Sequence, residues 1–98
     1  MLPSPRMKSR HGGTDRVSTK SKLSQELITL GNLLAAARER AGIKQSDLAA
    51  RLGLPASYLS KIENGTRRLD VIEFVHIAGA MDLDAPELLR ALQRSLRR

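Results

Sequence analysis

Apolar residues in this chain recur at helical spacing, and glycine or proline stops each of the first three runs after a few turns. Leu30, Leu33, Leu34, Ala37 and Ala41 share one helix face and end at Gly42. Leu48, Ala49 and Leu52 form the next face and end at Gly53-Leu54-Pro55. Leu59 and Ile62 anchor a third segment, which stops at Asn64-Gly65, residue types that tolerate a left-handed backbone. Phe74, Ile77, Ala78 and Met81 mark a fourth, opened by the capping-box pattern Asp70-Val-Ile-Glu73. Asp84-Ala-Pro-Glu87 opens a fifth carrying Leu88, Leu89, Leu92 and Leu96, with Asp84 as an acidic cap and Pro86 in the first turn. The pattern predicts helices near 29–41, 45–52, 56–63, 70–81 and 85–96 and no strand. The expected fold class is all-α, a compact five-helix domain.

Composition agrees. Tyr58 and Phe74 are the only aromatic residues among 98, too few for a sheet sandwich. Residues 1–22 hold two prolines, a Gly-Gly pair and many Ser, Thr, Lys and Arg, with little apolar surface to offset the entropy of ordering. The expectation is a flexible basic arm over 1–22 and a domain over 23–98. The formal net charge is +7. Lys44, Arg51, Lys61, Arg67 and Arg68 face only Asp47 and Glu63 within 44–68, whereas 69–89 hold five acids and no Lys or Arg. Arg90, Arg94, Arg97 and Arg98 close the chain. Positive charge concentrated in this way points to a polyanion partner, although a solvated basic surface has the same composition.

Gln45 through Ile62 is the informative unit. Two short helices flank a tight turn. Ala49 lets them approach, Gly53 takes the turn where a left-handed backbone is needed and a Cβ would clash, and Leu48, Leu59 and Ile62 fix both helices to a third. A helix-turn-helix needs this spacing, and an αα corner in an ordinary bundle can also have it. The flanks separate the two. Leu30-Gly31, Leu34, Arg38, Gly42-Ile43-Lys44-Gln45, Asp47-Leu48-Ala49, Gly53 and Ser57 through Gly65 resemble the Xre/Cro-type, lambda-repressor-like helix-turn-helix family, as do Phe74, Ile77-Ala78 and Met81-Asp82-Leu83. The resemblance covers about residues 30–90, with the helix-turn-helix at 45–63.

That resemblance implies a sequence-specific duplex-DNA-binding transcriptional regulator, a small dimeric repressor or controller that reads operator half-sites through the major groove. The third helix would be the recognition helix. Ala56, Ser57, Ser60 and Lys61 lie away from its Leu59–Ile62 edge and are short or flexible enough to reach base edges. Lys61 can donate to guanine, the serines suit either base type, and Ala56 can meet a thymine methyl. By the family pattern Gln45 contacts phosphate at a helix N-terminus, and Lys44 adds charge beside it. Tyr58 is a further phosphate candidate, as are Asn64, Thr66, Arg67 and Arg68 in the following loop. Lys44 and Pro55 stand where the family often has a Ser, Thr or Asn cap, so both helix starts lack a side-chain acceptor. Arg38 and Glu63 match a family ion pair that is structural.

The fifth helix has more leucine than one small domain can bury. Leu89, Leu92 and Leu96 are therefore dimer candidates on helix 85–96, against the simpler reading of core closure. An antitoxin-like protein partner, with DNA binding serving autoregulation, is the alternative function. The expected partners are double-stranded DNA and a second copy of the chain, with a protein partner as the alternative. The chain has no cysteine, which excludes disulfides and thiolate zinc sites. His11 and His76 form no ligand motif, and there is no phosphate loop or nucleophile elbow. The expectation is no enzyme, no cofactor and no metal. No apolar run approaches a membrane span. The expected location is cytoplasmic, on the nucleoid when bound.

Overall fold

In a computed structural model of the chain, residues 16–97 are described, with side chains from residue 22. Five α-helices follow in order: α1 Arg16–Arg40, α2 Gln45–Leu52, α3 Ala56–Glu63, α4 Val71–Ala80 and α5 Ala85–Leu96. No strand occurs among the described residues. The boundaries of α2 and α3 fall where the glycine and proline punctuation places them, and α5 spans the expected residues 85–96.

α1 differs. It starts at Arg16 rather than near 29, so residues 16–22, expected in the arm, are helical backbone. The rest of the arm, residues 1–15, lies outside the described residues. No glycine or proline interrupts the chain between Gly13 and Gly31, so no helix-breaking residue stops the helix from starting this early. Its core-facing pattern is weak because Leu23 and Ile28 stay exposed. Apolar periodicity therefore locates only the later, buried part of the helix.

The core comes from all five helices. Leu34 and Ala37 of α1 meet Leu48 and Ala49 of α2, Leu59 and Ile62 of α3, Phe74, Ile77 and Ala78 of α4, Met81, and Leu88 of α5. α1 packs on α3 and α5, α2 on α3 and α4, and α4 on α5. Gly31 is where α1 crosses the end of α3. A Cβ there would lie 2.4 Å from the Glu63 carbonyl oxygen and 2.7 Å from that of Ile62. One turn earlier, at the middle of α1, Ile28 rests on Gly65, whose Cβ would lie 2.7 Å from the Ile28 Cα.

The turn at Gly53 is left-handed, φ 70°, and its N–H closes on the Ala50 carbonyl. A Cβ at Gly53 would meet nothing within 4 Å, so the glycine answers to backbone angle alone and not to the expected clash. α4 has the predicted capping box. The Asp70 carboxylate accepts from the Glu73 N–H at 2.8 Å, and the Glu73 carboxylate accepts from the Asp70 N–H at 2.9 Å. Asp70→Ala should lower unfolding stability by about 1 kcal/mol, read by urea denaturation. Asp84 occupies the cap position of α5, yet its side chain accepts no capping bond. Pro86, two residues on, has no N–H to offer, which removes one of the two donors that a cap carboxylate normally reaches.

Candidate nucleic-acid interface

α3 has eight residues, so it is about 12 Å long. Leu59, Ile62 and Glu63 are buried on one side. Ala56, Ser57 and Lys61 are exposed on the other, with Ser60 half-buried beside them. At 100° per residue these four positions share an arc of about 140°, a contiguous face free of bulky groups. The loop after α3 is folded back on the helix. The Lys61 carbonyl accepts from the Thr66 N–H at 3.0 Å, the Thr66 hydroxyl at 3.2 Å and the Arg67 N–H at 3.3 Å. Asn64, Thr66 and Arg68 are exposed on this loop, at the C-terminal end of the same helix.

Behind the face sits a buried ionic network. Arg38 of α1 meets Glu63 with two nitrogens: Nε donates to Oε2 at 2.8 Å and a terminal nitrogen to Oε1 at 3.0 Å. Its other terminal nitrogen donates to the Ile43 carbonyl at 2.9 Å. The two side chains are only 11% and 6% exposed. The hydrogen bond to Glu63 holds the Arg38 guanidinium above its ordinary pKa, against the opposing effect of burial. Glu63 lies in the last turn of α3, where a carboxylate opposes the helix dipole, and the bidentate cation offsets this. The pair ties α1 to α3.

Gln45, expected to face phosphate, donates its amide to Glu63 Oε1 at 2.9 Å. One of its amide donors is thus committed inside the domain. The sequence offers no separate signal for this contact. Lys44 is exposed at the start of α2 and makes no side-chain capping bond.

Tyr58 and Arg67 are also engaged internally. The Tyr58 hydroxyl donates to the Glu73 carboxylate of α4. An Arg67 terminal nitrogen donates to the Tyr58 oxygen at 2.8 Å and reaches Glu73 at 3.4 Å. The Arg67 guanidinium carbon stands 4.2 Å from the centre of the Tyr58 ring. Glu73 thereby joins three segments: α3, the loop and the cap of α4. The sequence shows Glu73 only as a cap partner, since its reach to Tyr58 depends on the α3–α4 approach. The hydrogen bond from Tyr58 holds the Glu73 carboxyl below the usual carboxylate range, and the bond to Glu73 pushes the Tyr58 phenol up. A depressed carboxylate stabilises the fold fully above its unfolded pKa and loses that contribution as pH falls through the folded value. Urea midpoints measured from neutral to acid pH should therefore decline, and Glu73→Gln should flatten part of that decline. Lys44 and Arg68 make no ion pair among the described residues, unlike Arg67.

On α5, Leu88 is buried, Leu92 is half-buried, and Leu89 and Leu96 are 49% and 38% exposed. Among the described residues no group of three or more His, Asp or Glu is placed to hold a metal ion. No helix among them is long and apolar enough to cross a membrane.

Residues 34–88 match the helix-turn-helix family. The fold is similar to that of an XRE-family like protein from Pseudomonas syringae pv. tomato, with a TM-score of 0.71 and 45% identity, over 80% of this chain and 95% of that one. It is also similar to the restriction-modification controller protein C.AhdI from Aeromonas hydrophila, with a TM-score of 0.62 and 31% identity, over 65% of this chain and 97% of that one. The HTH-type transcriptional regulator y4dL of Sinorhizobium fredii is 39% identical over 66 residues, 64% of this chain. The match spans about a third, 34%, of that protein's length.

Proposed function

The chain belongs to the Xre/Cro-type helix-turn-helix family, and from that membership we propose that it is a sequence-specific duplex-DNA-binding transcriptional regulator. The observation that carries this reading is the exposed face of α3, built from Ala56, Ser57, Ser60 and Lys61 and bordered by a basic loop. An α-helix, about 10–12 Å across with its side chains, enters a major groove about 12 Å wide. In this reading Lys61, Ser57, Ser60 and Ala56 read base edges. Lys44, Asn64, Thr66 and Arg68 fix the register on phosphates, joined by Gln45 and Arg67 through the N–H donors left after their internal bonds, whereas Tyr58, whose one O–H is given to Glu73, would reach a phosphate only by releasing that bond.

One such module reads few base pairs, and we assign the second half-site to a second copy of the chain. Leu89 and Leu96, exposed on α5 and flanked by Leu92, would form the two-fold contact. Two α3 helices would then lie about one DNA turn apart, roughly 34 Å. The functional unit is a small dimeric repressor or controller. Support for the controller reading comes from the similarity to C.AhdI, a restriction-modification controller protein.

Substitutions separate the two kinds of contact. Lys61→Ala should cost about 1–3 kcal/mol at the preferred site and relax the base preference there. Arg68→Ala should weaken all duplexes nearly uniformly and lower the salt slope by about one. Equal loss on all sequences for both variants would remove α3 as the reading element. Sedimentation equilibrium should show a dimer that Leu89→Lys dissociates. A monomer at tens of micromolar, with and without preferred DNA, would rule out the α5 contact.

A further inference from the structure

Glu73 lies on α4, outside the helix-turn-helix, and carries no DNA-facing role in the reading above. It nevertheless holds two groups that border the recognition face. Its carboxylate accepts from the Tyr58 hydroxyl and from Arg67, while its other oxygen remains in the α4 capping box. Arg67 is confined from several sides. One terminal nitrogen is shared between Tyr58 and Glu73, the other donates to the Arg68 carbonyl at 3.3 Å, and the guanidinium lies over the Tyr58 ring. Its side chain still keeps 38% exposure, so one edge reaches solvent in a fixed direction.

We propose that Glu73 is a specificity-determining residue that need not touch DNA: by holding Arg67 against Tyr58, it withholds a mobile cation from phosphates out of register with α3. The inference rests on the DNA-binding reading and adds the origin of discrimination to it. A loose arginine gains Coulomb attraction to any phosphate within reach, whatever the base sequence. An arginine paired with an internal carboxylate and stacked on a ring has less net charge to offer. It also has one orientation, which suits a phosphate only when the recognition helix is seated. Affinity for wrong sequences therefore falls more than affinity for the right one, and the ratio between them rises. The asymmetry between the two arginines fits this division. Arg68 makes no ion pair among the described residues, while Arg67 is paired with Glu73 at 3.4 Å.

The test uses Glu73→Gln, because glutamine can keep the capping box while the carboxylate charge is lost. Tyr58 is the only tyrosine and the chain has no tryptophan, so near-ultraviolet absorbance during an alkaline titration reports this phenol alone. In the free protein the substitution should move the Tyr58 titration to lower pH. That step needs no DNA and asks only whether Glu73 holds the phenol. Fluorescence anisotropy against preferred and scrambled duplexes should then show scrambled DNA bound about three- to tenfold tighter than by the parent. Its salt slope should steepen by about one, and the preferred site should change less. In an Arg67→Ala background, Glu73→Gln should leave the slope unaltered if Glu73 acts through Arg67. An unmoved Tyr58 titration would overturn the proposal at its structural step. A moved titration with both duplexes shifting equally would overturn the specificity step. Absence of any preferred duplex for the parent protein would instead count against the DNA-reading function itself.

Discussion

Gly31→Ala should destabilise the domain by about 3 kcal/mol or more, the largest effect expected from any one-carbon change in the chain. The added methyl would enter the space of two backbone carbonyl oxygens and a carbonyl carbon at the end of α3, all within 2.8 Å. A flexible side chain could rotate away from such a contact. These atoms are backbone in the last turn of α3, where the Ile62 carbonyl accepts from the Gly65 N–H, and they cannot swing aside. α1 must therefore move off α3, and the movement opens the seat of Leu34, Leu59 and Ile62, each almost fully buried. In an isolated helix alanine is the better residue by roughly 1 kcal/mol, so propensity alone predicts the opposite sign. Thermal unfolding at neutral pH decides between them. A drop in Tm of well over 10 °C is the expected result for a domain of this size, and an unchanged or raised Tm would mean that α1 does not cross α3 this closely.

Arg38→Ala is the second large effect, with an expected loss of about 3–5 kcal/mol. The substitution strands the Glu63 carboxylate, 6% exposed, with Gln45 as its remaining side-chain partner. It also removes the donor to the Ile43 carbonyl, which holds the turn between α1 and α2. The penalty comes chiefly from leaving a buried charge uncompensated rather than from the attraction lost. A double variant, Arg38→Met with Glu63→Leu, should accordingly recover much of the stability. Urea unfolding of the two singles and the double closes the cycle. A double variant less stable than either single would contradict this account of the pair.

The punctuation of this sequence made most of the architecture legible. Gly42, Gly53 and Gly65 end helices, and all three are left-handed in the structure. The Leu59–Ile62 spacing told which side of α3 is inward, and the Arg38 and Glu63 side chains do meet. What stayed hidden depended on contacts between elements. Gly31 carried a local signal, an isolated glycine inside a helical pattern, but only the approach of α3 explains it. Glu73 was visible as a cap, while its grip on Tyr58 and Arg67 required the position of α4. Residues 16–22 were hidden for another reason. They form helix although their sequence carries no regular apolar spacing, and periodicity registers an apolar face rather than helix. Asp82 adopts φ 60° just past α4, a place where glycine usually stands and where aspartate is among the few alternatives.

These internal ties bear on how the interface works. The Arg38–Glu63 pair fixes the end of α3 to α1, and the Tyr58–Glu73 bond fixes its flank to α4. α3 is thus held on two sides, and the side chains of Ala56, Ser57 and Lys61 stay exposed on the remaining face. A rigid reading element loses little conformational entropy on binding, which favours discrimination over indiscriminate attraction.

The most direct measurement is selection of bound sequences from random duplex DNA, followed by competition of the recovered site against its scrambled version at fixed salt. A dimer that reads DNA through α3 should recover a palindromic site, with half-site centres about one helical turn apart and at least ~10³-fold preference over scrambled DNA. Binding that is steeply salt-dependent but enriches no sequence would contradict that reading, and would reduce the basic surface to nonspecific polyanion attraction.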